Sequence, residues 1–187
     1  MKKFILLLSI LYLAFISNQE IKSCPAGWFP RVITIDYPTC PNISANLCIK
    51  CSPLNNSLEI IFISFEGVCN GYDLGAIIDF FEGYIKANYS TFCIGAWKPC
   101  SQGTTRIIFR TPLCFYQDYD DNTRFFYCDQ SFCVTAYDVC TNSDGSVSST
   151  PAGPPYPQYE GNPYPGCRER SWPQGAGICF HVPNKCN

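Results

Sequence analysis

The residues best equipped for chemistry in this chain are its fourteen cysteines among 187 positions. As free thiols, such a set can hold metal, exchange disulfides or act as nucleophiles, whereas oxidised it braces a fold. Cys48-Ile-Lys-Cys51 has the two-residue gap of a redox pair or a zinc knuckle. A redox pair needs a strand leading into it and a helix starting at it, and Pro53 follows here in turn-like surroundings. Zinc needs a second pair, and Cys128/Cys133 is spaced too loosely to supply one. Structural disulfides are therefore expected for Cys24, Cys40, Cys48, Cys51, Cys69, Cys93, Cys100, Cys114, Cys128, Cys133, Cys140, Cys167, Cys179 and Cys186. Up to seven bridges can form, and their connectivity is not readable from spacing.

The other candidates are thinner. Asp118, Asp120 and Asn122 alternate, and Asp129 falls twelfth counting from Asp118, which is the outline of a calcium loop. Thr123 stands at the sixth position, where such a loop needs glycine, and strand-like residues follow from Arg124. A solvated hairpin turn is the expected reading. The single histidine, His181, lies beside Val182-Pro183 and reads as a packing or surface residue. A nucleophilic triad needs a well-oriented imidazole, and neither a nucleophile elbow, a phosphate loop nor His-Glu-x-x-His occurs. No enzymatic activity and no cofactor are expected.

Three Asn-x-Ser acceptors for glycosylation occur at Asn42, Asn55 and Asn88, the first two in segments expected to be loops. Aromatic residues make up 16% of the chain. Buried, they fill a thin core. Exposed in a row, as Tyr156, Tyr159, Tyr164 and Trp172 could be, they stack on sugar rings.

The elements that must position these groups begin after a leader. Met-Lys-Lys, the apolar run Phe4–Ile16 and a polar stretch to Ser23 have the form of a secretory signal peptide, residues 1–23. The apolar run is too short for a bilayer core of roughly 30 Å. A lipidated Cys24 would leave thirteen cysteines, an odd number, and Lys22 spoils the lipidation box. A secreted protein in an oxidising compartment is expected, with no membrane span after cleavage. The formal net charge is −2 and becomes more negative once Lys2, Lys3, Lys22 and Glu20 leave with the leader. With no basic cluster, nucleic acid is excluded as an expected partner.

Arg31–Asp36 reads as a strand, and 40–56 as polar and turn-rich. Leu58–Phe65 is so apolar that it belongs in the centre of a sheet or under cover on both faces. Its apolar faces also make it a candidate acceptor for a strand from another chain. One helix follows, capped by Asp73, with Ile77, Ile78, Phe81, Tyr84 and Ile85 inward and Asp79, Glu82 and Lys86 outward. Further strands are expected at Thr105–Arg110, Leu113–Tyr119, Arg124–Asp129, Phe132–Val139 and Ile178–Val182. Turns are expected at Asp120-Asp121-Asn122 and Asp144-Gly145. The fold class is mainly β (α+β): disulfide-braced antiparallel sheet with one packed amphipathic helix. Residues 24–146 form that domain, 147–166 a Pro/Tyr-rich extended arm, and 167–187 a cysteine-containing tail. The arm's prolines predict an extended, polyproline-like segment rather than a core strand.

The segments 24–51 and 93–133 echo each other. Both open Cys-x-x-x-Trp-x-Pro, at Trp28/Pro30 and Trp97/Pro99, and both continue into an arginine-led β-branched run closing on Pro-x-Cys. An internal duplication is one reading, and chance similarity in a cysteine-rich chain is the other. Trp28 and Trp97 are both expected to be buried against cystines.

The opening Cys24-Pro-Ala-Gly-Trp28, the run Ile35-Asp-Tyr-Pro-Thr-Cys-Pro41 and the closely spaced Cys48/Cys51 resemble a group of secreted, cysteine-rich bacterial proteins. These open on Cys-Pro-x-Gly-aromatic and have no established function. The resemblance spans Cys24 to Cys140 and implies no site residues. The functional expectation is a structural subunit of an extracellular fibre or surface layer, self-associating into a homopolymer by strand or arm exchange. The alternative is a secreted binding module, glycans being the candidate ligand.

Overall fold

The computed structural model describes residues 24–93, 98–128, 131–159, 167, 175–183 and 185–186. The order of elements is β1 (Phe29–Tyr37), β2 (Cys40–Ser52), β3 (Ser57–Glu66), α1 (Leu74–Ala87), β4 (Thr105–Pro112), β5 (Cys114–Gln117), β6 (Phe125–Tyr127), β7 (Ser131–Thr141), β8 (Val147–Pro151), β9 (Tyr156–Tyr159) and β10 (Phe180–His181). The fold is mainly β with one helix, in a mixed and branched sheet.

The apolar strand β3 is the trunk of that sheet. β2 runs antiparallel along one side of it from Ser44 to Ser52. On the other side β4 pairs in parallel over Ser57–Ile61, and β6 pairs antiparallel at Ser64–Phe65. From there one branch continues through β7, the other through β5 to β10. A strand flanked on both sides has no free ladder for another chain, so the expected strand addition at Leu58–Phe65 is ruled out by pairing within the chain.

The parallel pair β3–β4 needs a crossover, and α1 supplies it. Its buried face packs with inward residues of β2, β3 and β4: Leu47, Phe62, Ile77, Phe81, Ile107 and Phe109 belong to one cluster. Asp73 caps the helix as expected, accepting from the Gly75 N–H at 2.8 Å. Two of its expected orientations are corrected. Tyr84 is 40% exposed, whereas Glu82 is buried at 2%. The tail explains the second case: Lys185 comes back over this face and pairs with Glu82. Lys86 is half-buried, with its ammonium over the Tyr137 ring at 4.0 Å.

Residues 40–52, expected as turn-rich, form a thirteen-residue strand instead. Ile43, Ala45, Leu47 and Ile49 alternate with polar neighbours and bury one face each time. That is strand periodicity, hidden by the Asn and Ser between them. The opposite face of the sheet carries a smaller cluster of Cys48, Ile61, Ile63, Phe132 and Val134, with Trp28 packed against it. Trp28 is half-buried rather than buried, and Trp97 lies outside the described residues.

All fourteen cysteines pair: 24–48, 40–69, 51–93, 100–140, 114–167, 128–179 and 133–186. Cys48 and Cys51 do not bond to each other. Three positions apart on β2, they point to opposite faces. The two echoing segments are used differently. The first forms the β1–β2 hairpin, whereas β4 pairs with β3 and β7 and not with β5.

The arm also departs from expectation. β8 pairs with β7 over Tyr137–Thr141, and β9 pairs with it over Ser131–Val134. Residues 147–159 therefore lie along the sheet, and Pro157 sits in a ladder opposite Cys133. As the last strands on that side they can accommodate proline, which a central strand cannot.

Candidate functional site

A concavity lies where the loop before α1, the β5–β6 hairpin and the returning tail meet. It encloses about 350 Å³, at the lower end of the ~300–1,000 Å³ of small-ligand sites. Three separate stretches build it, and two disulfides pin two of them. Cys40–Cys69 ties the loop to the start of β2, and Cys128–Cys179 ties the tail to the end of β6. The hairpin is fixed locally. Asp121 accepts from the Thr123 N–H at 2.9 Å and pairs with Arg124 at 3.3 Å, and its bonds from Thr123 above all hold its carboxyl below the usual range.

The tail approaches closely because glycine lets it. A Cβ on Gly75 would sit 2.5 Å from the Pro183 carbonyl oxygen, so this helical glycine is a passage for the chain above it. At Gly67, where φ is +75°, a Cβ would lie 2.8 Å from the Asn42 carbonyl oxygen. That contact seats the loop against the β1–β2 turn.

Val68, Leu74, Phe125, Phe180 and Val182 give the cleft an apolar floor. Tyr72 stands at its edge, held by a hydrogen bond from its hydroxyl to the Thr39 carbonyl at 2.9 Å and by an edge contact with Tyr37. The polar lining is Asn70, Asp73, Gln117 and Asn122. The Gln117 side-chain NH2 donates to the Asn122 carbonyl at 2.5 Å. Asp73 spends one carboxylate oxygen on the helix cap. The side-chain amides of Asn70 and Asn122 are exposed and make no hydrogen bond among the described residues. Asp73 is the one charged residue among the described residues lining the cleft. The site therefore offers two amides, each both donor and acceptor, over an apolar floor with an aromatic edge. It suits a neutral molecule with several hydroxyls and disfavours an anion.

No protein-family model, curated protein or solved structure matches the chain. What the site does rests on its own geometry.

The residues singled out by sequence sit in varied places. Of the calcium outline, Asn122 reaches the cleft. Asp118 instead accepts from the Asp120 N–H at 3.3 Å within the hairpin turn, and Asp129 lies outside the described residues. Among the described residues no three His, Cys, Asp or Glu side chains come together as metal ligands. His181 is half-buried on β10 opposite Cys114. Asn42 and Asn55 are exposed, Asn42 within β2 and Asn55 in a short 3-10 turn. Asn88 caps the end of α1, its side-chain NH2 donating to the Tyr84 carbonyl at 2.9 Å. Tyr156 and Tyr159 are exposed at 53% and 43%. Three positions apart on β9, they face opposite sides of the sheet and form no row. Tyr164 and Trp172 lie outside the described residues.

Sequence reasoning missed Asn70, Tyr72 and Gln117. Asn70-Gly71 just before a helix cap is a visible turn signal, but its juxtaposition with Gln117 needs the sheet. It also missed a second cluster beside the cleft. Buried Glu82 accepts from Thr111 at 3.2 Å and pairs with Lys185, which also reaches Asp79 at 2.9 Å. Burial raises the Glu82 pKa, and the attraction and hydrogen bond of Lys185 only partly offset this. Burial also acts to lower the Lys185 pKa, but Glu82 and Asp79 outweigh it and the net shift is upward. Both directions hold together: the pair favours charge on the half-exposed lysine more than on the deeper carboxylate. This cluster and the Cys133–Cys186 bridge fix the tail that walls the cleft.

Proposed function

We propose that the protein is a secreted binding module whose cleft holds part of a neutral, hydroxyl-rich ligand, a saccharide end being the chemical class that fits best. The observation that carries this is the pair of side-chain amides, Asn70 and Asn122, without hydrogen-bond partners among the described residues, beside an apolar floor and the fixed Tyr72 ring. A planar amide can donate to one hydroxyl and accept from its neighbour, while the ring and floor take the apolar face of the sugar. The Cys40–Cys69 and Cys128–Cys179 bridges support the same reading, because they hold two of the three stretches in a preformed shape and lower the ordering cost of binding. They also suit an oxidising, extracellular setting, and no helix among the described residues is long and apolar enough to cross a membrane.

The fibre-subunit reading draws on rigid crosslinking, the missing catalytic set, the apolar strand β3 as an acceptor edge, and an extended end of the chain, either 24–36 or the arm 147–166, as donor. The chain itself occupies β3 on both sides and places 147–159 on β7. That leaves the cleft as the better supported feature.

The test is an array of neutral and anionic oligosaccharides, probed with the disulfide-intact protein and with Asn70→Ala/Asn122→Ala. Losing two neutral hydrogen bonds of about 0.5–1.5 kcal/mol each predicts binding weaker by about fivefold to a hundredfold. Exclusive binding to anionic glycans, or equal binding by the variant, contradicts the assignment.

A further inference from the structure

The sequence contains a single Asn-Gly pair, Asn70-Gly71, and both residues line the cleft. Such a pair can close on itself, because glycine brings no side chain to crowd the attack of its nitrogen on the asparagine Cγ. The surroundings leave this pair open to that reaction. Both residues are exposed, and the Asn70 amide makes no hydrogen bond among the described residues. The Gly71 N–H, which carries the attacking nitrogen, has no acceptor among them either. A Cβ built on Gly71 would meet nothing within 4 Å, so the space around it is empty. The turn is closed by a long bond, from the Tyr72 N–H to the Cys69 carbonyl at 3.4 Å. An exposed turn held so loosely lets the peptide between Asn70 and Gly71 rotate and bring nitrogen and Cγ together.

Comparable positions are tied. Asn122, the other cleft amide, precedes β-branched Thr123, whose N–H donates to Asp121 at 2.9 Å. Asn142 donates from its side-chain NH2 to Ser146 and Ser148, each at 2.9 Å. At Asp144-Gly145 the glycine N–H donates to the Asn142 carbonyl at 3.0 Å, and the carboxylate accepts from the Ser146 N–H at 2.9 Å.

We propose that Asn70 is a site of spontaneous deamidation, driven by Gly71, that adds a negative charge to the cleft as the protein ages. The Gly71 nitrogen gives its proton to solvent base and bonds to Asn70 Cγ. The Cγ–Nδ2 bond then breaks, and the side-chain nitrogen takes up a proton and leaves as ammonia. Water opens the resulting cyclic imide at either carbonyl, giving an aspartyl residue or an isoaspartyl one whose main chain runs through Cγ. Water is consumed and ammonia released, with nothing oxidised or reduced. The effect on binding rests on the saccharide reading of the cleft. An amide that donates and accepts becomes a carboxylate that only accepts, in a cleft whose one charged described residue, Asp73, is already acidic. The isoaspartyl form also lengthens the loop that carries Tyr72.

The experiment incubates the disulfide-intact protein at mildly acidic and mildly alkaline pH and follows each asparagine by peptide mass spectrometry. Enzymatic methylation reads the isoaspartyl content. The expected result is conversion at Asn70 ahead of every other asparagine, and faster at the alkaline pH. Its rate is within about tenfold of that in the reduced, alkylated chain, because opening such a turn costs little. Asn70→Gln, whose longer side chain needs a six-membered ring, stays unconverted at this position. Converted protein, separated by anion exchange, binds the neutral saccharides selected on the array about twofold to tenfold more weakly, having lost one neutral hydrogen bond. Asn70→Asp reproduces the binding of its aspartyl fraction. Faster conversion at another asparagine, a native rate outside the tenfold margin, or full saccharide binding after conversion overturns the proposal. If neither form binds any saccharide, the saccharide reading of the cleft falls, and the conversion rates alone decide the modification.

Discussion

Lys185→Met tests whether the tail is held over the helix by charge. The substitution keeps an unbranched apolar stem but removes the ammonium that Glu82 faces. Glu82 is 2% exposed and then keeps only the Thr111 hydroxyl as a partner among the described residues. Stranding a buried charge costs about 3–5 kcal/mol. Lys185 is itself 31% exposed, so water screens part of the pair and the expected cost at pH 7 is about 2–4 kcal/mol. The pH dependence carries the sign. A carboxyl whose folded pKa is raised favours the folded state when protonated, so its contribution is fully present below about 4.5 and is lost as pH rises through the folded value. Removing Lys185 raises that value further. The penalty should therefore shrink to about 1 kcal/mol or less at pH 4, where a protonated Glu82 no longer needs the ammonium. Thermal unfolding followed by circular dichroism, cystines intact, at pH 4 and pH 7 reads both numbers. Adding Glu82→Gln to Lys185→Met should recover most of the stability at pH 7, because a neutral amide can stay buried beside Thr111 at far smaller cost than a carboxylate. A penalty equal at the two pH values, or no recovery in the double variant, refutes the buried-charge reasoning.

Two helix glycines should respond oppositely to alanine. Gly83→Ala meets open space and should gain up to about 1 kcal/mol, whereas Gly75→Ala drives a Cβ into the Pro183 carbonyl and should lose stability and speed hydrogen exchange at 180–183. Replacing Cys128 and Cys179 together by serine opens a 51-residue separation. This should cost about 4 kcal/mol by chain entropy and weaken ligand binding more than the same change at Cys24 and Cys48, neither of which lines the cleft. Trp28→Ala should cost about 1–3 kcal/mol, below the ~3–5 of a fully buried ring, because the side chain is half-buried against Cys24 and Cys48.

The parts of the fold governed by local pattern were legible. β3 announced itself by an unbroken apolar run, and α1 by Asp73 and the recurrence of Ile77, Ile78, Phe81 and Ile85. The hairpin turns at Asp121 and Asp144 followed from side chains that bond their own backbone two residues on. What was hidden depends on partners distant in sequence. Glu82 looked like a solvent-facing residue because nothing near it shows that Lys185, 103 positions later, returns to meet it. β2 was obscured because Asn and Ser occupy its outward positions, and turn composition outweighed the period-two apolar set. The arm's prolines suggested detachment, yet an edge position tolerates them. Of the cleft, Asn122 stood out only as part of a calcium-loop outline, and Asn70 gains meaning only with Gln117 and the tail beside it.

The most direct measurement is chemical-shift mapping by NMR on the disulfide-intact protein, titrated with neutral disaccharides such as maltose and N,N′-diacetylchitobiose. Binding in the cleft predicts saturable shifts confined to 68–74, 117–125 and 178–183, with the saturation point moved to about fivefold to a hundredfold higher ligand concentration in Asn70→Ala/Asn122→Ala. Shifts centred on Tyr156 and Tyr159, or a cleft silent to every neutral saccharide that the array shows to be bound, contradict it.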